Sequence, residues 1–251
     1  MSAFKTIHLF DYDILASDIG FLQTGSKSLV NTINQYSYIM AEKDPGFKKA
    51  LQDADVLLPD GIGVVVAARL IEGKKIKKVA GADLHYYLLS KLQEEGGSCF
   101  YLGSSENTLA AIKKRLNGEF PAVRSGFYSP PYKPQFDEAD NLGMINAVNA
   151  FKPDVLFVGM TAPKQEKWSN EQRDQLNANV ICSIGAVFDF YAGTIERPGQ
   201  FWIKIGLEWF IRLLKEPKRM SRRYLYYGFP FGLMLLRETI RRPFRKKQHN
   251  S

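Results

Sequence analysis

Asp60 stands where a carboxylate can do chemistry. The apolar run Val56-Leu57-Leu58 reads as a buried strand, Pro59 stops it, and Asp60-Gly61-Ile62-Gly63 forms a turn before an apolar helix that begins near Val64 and runs to Ile71. In open α/β sheets, ligands bind beyond the carboxyl ends of the strands. A carboxylate held there, partly shielded from water, can take a proton from a hydroxyl group. Asp is equally a common helix cap, and these residues alone do not separate the two uses. Gly61 and Gly63 open a dinucleotide fingerprint, but Val66 occupies its third glycine position and is too bulky for the close packing that motif needs, which argues against a nicotinamide cofactor.

Other groups can hold ligands. Thr32 and Asn34 carry groups that hydrogen-bond sugar hydroxyls, or they are surface residues of a helix over about 27–40, which Leu29, Val30, Ile33, Tyr36 and Ile39 predict by their spacing. Asp11-Tyr12-Asp13 has the form of a pair of cation ligands. It comes before any nucleotide-binding half has formed and reads as a solvated turn, so no metal site is expected. Thr161-Ala162-Pro163-Lys164-Gln165-Glu166 follows a strand and opens a helix, where free N–H groups and Gln165 can meet a nucleotide or sugar, or simply cap. Gly185, after Ser183-Ile184 and before Phe188-Asp189, permits close approach of a ligand.

The elements that must position these residues follow from patterning. Strands over 98–102, 122–128, 154–160 and 179–184 alternate with helices over 81–92, 105–116 and 136–151 and a helix from Pro163, after short strands and turns in 4–25 and a short helix over 47–53. That alternation predicts an α/β fold: a Rossmann-like, mostly parallel sheet with helices on both faces. Cys99 and Cys182 lie apart in strand-like runs and suggest neither a disulfide nor a zinc site, in keeping with a reducing cytoplasm. No secretory signal and no membrane-spanning run is evident.

The net charge of +8 is unevenly placed. Residues 197–251 hold 14 Lys and Arg against 3 Asp and Glu, a net of +11, which leaves −3 for residues 1–196. The expected division is an α/β body over 1–195 and a basic, helical, aromatic appendage over 196–251. Its cations, Arg212, Arg219 and Arg222 among them, suit phosphate groups. Their mixing with Trp202, Trp209, Tyr224, Tyr226 and Phe229 suits an anionic membrane surface; a packing unit with a solvated face is the plainer reading. Long apolar runs between the cations argue against a nucleic-acid partner.

Taken in order, these pieces resemble the WecG/TagA/CpsF glycosyltransferases, glycosyltransferase family 26. The matching residues are Thr32-x-Asn34, Ala54-Asp55 with Pro59-Asp60-Gly61-Ile62-Gly63-Val64-Val65, Val79-Ala80-Gly81-Ala82-Asp83, Pro163-Lys164-Gln165-Glu166, Gly185 with Phe188-Asp189, Gly193 with Arg197-Pro198, and Gly206-Leu207-Glu208-Trp209-Phe210-x-Arg212 with Pro217, Arg219 and Arg222. The resemblance implies an inverting, metal-independent enzyme that needs no cofactor. It would move a hexose, N-acetylhexosamine or uronic acid from a UDP-sugar donor to a polyprenyl-diphosphate-linked saccharide acceptor, in bacterial cell-surface polysaccharide synthesis. It would be attached peripherally to the cytoplasmic face of the plasma membrane, with homo-oligomers open. By the same resemblance Asp60 is the base, with Thr32 and Asn34 beside it. Gly61, Lys78, Gln165, Glu166, Gly185 and Asp189 contact substrate, and Arg212, Arg219 and Arg222 neutralise the departing diphosphate. Two positions depart from the family pattern: Gln35 is neutral where an acid is common, and Lys78 replaces a frequent arginine. The alternative is a non-catalytic, membrane-associated nucleotide-sugar-binding protein.

Overall fold

The computed structural model describes residues 4–195, 199, 202, 208–215, 217 and 226–248. A hairpin of β1 (Thr6–Leu9) and β2 (Tyr12–Leu15) precedes a six-stranded sheet. The sheet comprises β3 (Ser28–Ile33), β4 (Val56–Pro59), β5 (Ser98–Gly103), β6 (Arg124–Tyr128), β7 (Val155–Gly159) and β8 (Val180–Ser183). Its order is β4-β3-β8-β7-β5-β6, with every pairing parallel. The helices are α1 (Gln35–Ala41), α2 (Pro45–Gln52), α3 (Ile62–Glu72), α4 (Gly81–Glu95), α5 (Glu106–Glu119), α6 (Glu138–Phe151), α7 (Lys164–Gln172), α8 (Val187–Ala192), α9 (Glu208–Lys215) and α10 (Tyr227–Gln248).

The sheet is parallel because its inner strands are apolar on both faces, as a sheet covered by helices on both sides requires. Successive residues of β7 divide between two cores: Val155 and Phe157 pack with Leu84, Leu88, Ile112 and Phe188, while Leu156 and Val158 pack with Met144, Val148 and Trp168. A third core joins Ile33 and Leu57 to α1, α2, α3, the hairpin and Phe231 of α10. His85 of α4 is buried in the first core, its Nε2 2.7 Å from the Tyr101 hydroxyl, and burial pushes its pKa down to about 3, so it is neutral. Burial likewise pushes the Cys99 and Cys182 thiols up, which suits inert core residues.

One expected element is different. The segment predicted as a helix over about 27–40 is strand β3 followed by α1. The apolar spacing spans a change of structure at Asn34, and the buried Asn31 interrupts what would otherwise read as a strand run. Its Nδ2 donates to the carbonyl of Ala50 at 3.0 Å, an interior partner that sequence does not disclose. Asp55 fixes the register on this side of the sheet: its Oδ2 accepts from the Leu29 N–H at 2.7 Å and from Arg173 Nη2 at 2.8 Å.

Candidate active site

The carboxyl ends of all six parallel strands open into one cleft of about 1050 Å³. Each strand ends in a small or polar residue on its rim: Thr32 near the end of β3 and Asn34 just after it, Asp60 after β4, Ser104 and Ser105 after β5, Ser129 after β6, Thr161 after β7 and Gly185 after β8. The volume is at the upper end of ordinary ligand pockets, roughly 300–1,000 Å³.

The first wall is built by adjacent strands. Thr32 is paired with Leu58 and Ile33 with Pro59, so Asn34 and Asp60 leave the sheet side by side. The Asp60 N–H donates to the Ile33 carbonyl at 2.9 Å, which ties the turn to β3 and holds the half-buried Asp60 at the rim. Asn34 caps α1, its Oδ1 accepting from the Tyr36 and Ser37 N–H groups at 3.0 and 3.1 Å. That oxygen is committed to the helix, leaving Nδ2 as the atom that can meet a ligand. Gly61 is required twice over. Its φ is +151°, and a Cβ there would stand 2.9 Å from Gln35 Oε1 and 3.3 Å from Asn34 Cβ. The Gln35 amide thus lies against the turn that carries Asp60.

The adjoining wall comes from β8, which pairs with β3, and from β7 and α7. Gln165 is buried; its Oε1 accepts from the Met160 N–H at 3.2 Å, and its Nε2 donates to Glu166 Oε1 at 2.9 Å. Glu166 is only 3% exposed, and its Oε2 has no hydrogen-bond partner among the described residues. Burial pushes its carboxyl up to about 7, against the smaller opposing effect of the Gln165 hydrogen bond. Gly185, at φ +48°, lets Gln165 approach: a Cβ would lie 3.0 Å from its Oε1. Asp189 lines the cleft from the first turn of α8.

The structure therefore brings Thr32, Asn34, Asp60, Gln165, Glu166, Gly185 and Asp189 to one cavity. Gly61 and Lys78 are not on its lining; Gly61 shapes the Asp60 turn from behind. Arg212 lies in α9, with its side chain outside the described residues, as are Arg219 and Arg222 altogether. The Asp11-Tyr12-Asp13 hairpin is also apart from the cleft, with Asp11 paired to Lys48 and Asp13 to His8.

Sequence reading assigned no ligand role to Ser104, Ser105, Ser129 or Lys164. The signal of the three serines was position alone, a small polar residue just after an apolar run; that of Lys164 was a cation at the start of the helix after β7. Lys164 is the one Lys or Arg among the described residues of the lining, against Asp60, Glu106, Glu166 and Asp189. Its Nζ donates to the Lys133 carbonyl at 2.7 Å and sits 4.2 Å from the centre of the Phe136 ring.

Comparison with known proteins adds the chemistry. The chain is 32% identical over 203 residues to an N-acetylglucosaminyldiphosphoundecaprenol N-acetyl-beta-D-mannosaminyltransferase of Bacillus spizizenii, covering 80% of this chain and 77% of that protein. It is 28% identical over 195 residues to a protein of the same name from Bacillus subtilis, covering 78% and 74%. The family described as glycosyl transferase WecG/TagA/CpsF matches residues 5–245. With a parallel-sheet cleft of this form and a family match over nearly its whole length, the chain belongs to the WecG/TagA/CpsF glycosyltransferases.

Proposed function

We propose that the cleft transfers N-acetylmannosamine from a UDP-linked donor to N-acetylglucosamine carried on a polyprenyl diphosphate, with inversion at the anomeric carbon. The acceptor and the sugar are those in the names of both relatives; the UDP donor and the inversion come from the family resemblance. The observation that carries the reading is the meeting of Asp60, Thr32 and Asn34 with Gln165 and Gly185 around one cleft at the strand ends.

In this reading Asp60 accepts the proton of an acceptor hydroxyl as its oxygen bonds to the anomeric carbon and the bond to the UDP oxygen breaks. Thr32 and the Asn34 amide orient the hydroxyls on that side. Gln165, Glu166, Gly185 and Asp189 line the donor side. The leaving diphosphate gathers negative charge, and fixed cations aimed at it supply the main electrostatic stabilisation. The described lining is rich in carboxylates, so Arg212, Arg219 and Arg222 of the C-terminal segment are assigned this task. That segment also holds the enzyme at the cytoplasmic membrane face, where a lipid-linked acceptor resides.

The test is a panel of UDP-sugars with lipid-diphosphate-linked N-acetylglucosamine as acceptor, following UDP release. UDP-N-acetylmannosamine should give the highest acceptor-dependent rate. Acceptor-dependent release with another UDP-sugar and none with this one would refute the sugar assignment.

A further inference from the structure

Helix α3 buries Val64, Ala67, Ala68 and Ile71 in the core. On its opposite face Ile62, Val66 and Leu70 recur every fourth residue and are 43%, 43% and 52% exposed. A helix of a water-facing surface carries polar residues there. Helix α10 lies against α1 and α3 and repeats the pattern. Phe231 is buried beside Gly63 and Tyr38, while Phe229, Leu233, Leu236 and Ile240 face outward at helical spacing, each more than half exposed. Two neighbouring helices thus present apolar stripes with no partner among the described residues.

The rim of these stripes is basic. Arg69 is exposed on α3, and the loop after Glu72 carries Lys74, Lys75, Lys77 and Lys78, of which Lys77 is ion-paired with Asp18 at 2.8 Å. Lys74, Lys75 and Lys5 line a shallow hollow beyond the helix. The α10 stripe runs on into Arg241, Arg242, Arg245, Lys246 and Lys247 in the sequence. Tyr226 is exposed at the start of α10, under the Lys43 ammonium, as aromatic residues at headgroup depth are. No helix among the described residues is long and apolar enough to cross a bilayer. Apolar stripes rimmed by cations suit a helix surface lying in the interface of an anionic bilayer. A second copy of the chain would set like charges against each other.

We infer that α3 of the α/β body and α10 together form one lipid-contacting face, which seats the protein on an anionic bilayer with the cleft opening beside it. Ile62 is two residues beyond Asp60, and Tyr227 of α10 lines the cleft, so this face and the cleft share an edge. The body itself, not the C-terminal segment alone, then sets the depth at which a lipid-linked acceptor meets Asp60.

The test is sedimentation of the full-length protein with vesicles of phosphatidylglycerol and phosphatidylcholine, without any sugar substrate, so that it stands or falls apart from the transfer reading. Val66→Ser with Leu70→Ser, and separately Leu233→Ser with Leu236→Ser, should each lower the vesicle partition coefficient about tenfold or more, since each apolar side chain withdrawn from water contributes roughly that factor. Circular dichroism should be unchanged because the replaced groups face outward. An α3 variant that partitions like the parent would overturn the inference. So would an α3 variant that turns an oligomeric parent monomeric with vesicle binding intact, because the face would then hold a second copy.

Discussion

At the scale of single residues, Gly61, packed against Gln35 and Asn34, shapes the turn that carries Asp60. Gly61→Ala places a methyl group 2.9 Å from Gln35 Oε1 at a φ that L-residues rarely adopt. It should cost about 1–3 kcal/mol of stability and lower turnover at the same time. Chemical denaturation and UDP release measure the two, and an Ala variant with parental values for both would contradict the packing described. Glu166 makes a separate prediction. Its carboxyl is raised from 4.5 to about 7 by burial. The folded protein therefore keeps a proton that the unfolded chain loses between those values. This contribution to stability is full below pH 4.5 and is lost as pH rises through 7. Glu166→Gln keeps the shape but cannot ionise. Its stability gain over the parent should be near zero at pH 4.5 and grow to the order of 3 kcal/mol above pH 7. A difference that does not change with pH would refute the buried-acid reading. The place of Asp60 at a strand end was legible in sequence because strand, proline, acid and glycine follow one another. The orphaned oxygen of Glu166 was not, because it depends on what α7 packs against.

At the scale of elements, the lesson is the passage from β3 to α1. A helical spacing of apolar residues over 29–39 concealed a strand and a helix joined at Asn34, since a short buried strand and a helix segment share apolar content. The cap itself was legible in principle: Asn followed by a helix-forming run is a start signal. Asn34→Ala should cost about 0.5–2 kcal/mol through the lost cap, measured by thermal or chemical unfolding. Asn34→Asp keeps an accepting oxygen and should restore most of that stability while lacking the amide proposed to meet the substrate. Equal stability of the Ala variant and the parent would show that the cap contributes nothing. The alternation of strands and helices from 81 to 184 was read from sequence nearly as it stands, whereas the short helix α8 (Val187–Ala192) was not expected. Strands β5, β7 and β8 are buried, largely apolar runs bounded by clear breakers, which leaves little room for another period; the edge strand β6 (Arg124–Tyr128) is not apolar throughout. Which strand neighbours which was not legible, because β8 reaches β3 across the molecule through contacts that no local pattern encodes.

At the scale of the whole molecule, the strand order gathers into one cleft residues that are far apart in sequence, from Thr32 to Asp189. The C-terminal segment is tied to that body. Phe231 is 4% exposed among Ile33, Tyr38 and Val64, so removing everything after residue 195 would uncover this core as well as remove basic and aromatic residues. Loss of vesicle binding on such truncation would mix two causes, and point variants on the outward stripes separate them. The charge asymmetry that points to an anionic surface was plain in the sequence; that α3 shares the exposed apolar face was not, because its apolar residues all looked like core. The central claim is that Asp60 takes the acceptor proton, and steady-state transfer by Asp60→Asn tests it most directly when measured together with UDP affinity. Turnover should fall about 10²–10⁴-fold with UDP affinity and fold retained; turnover close to that of the parent would contradict that role.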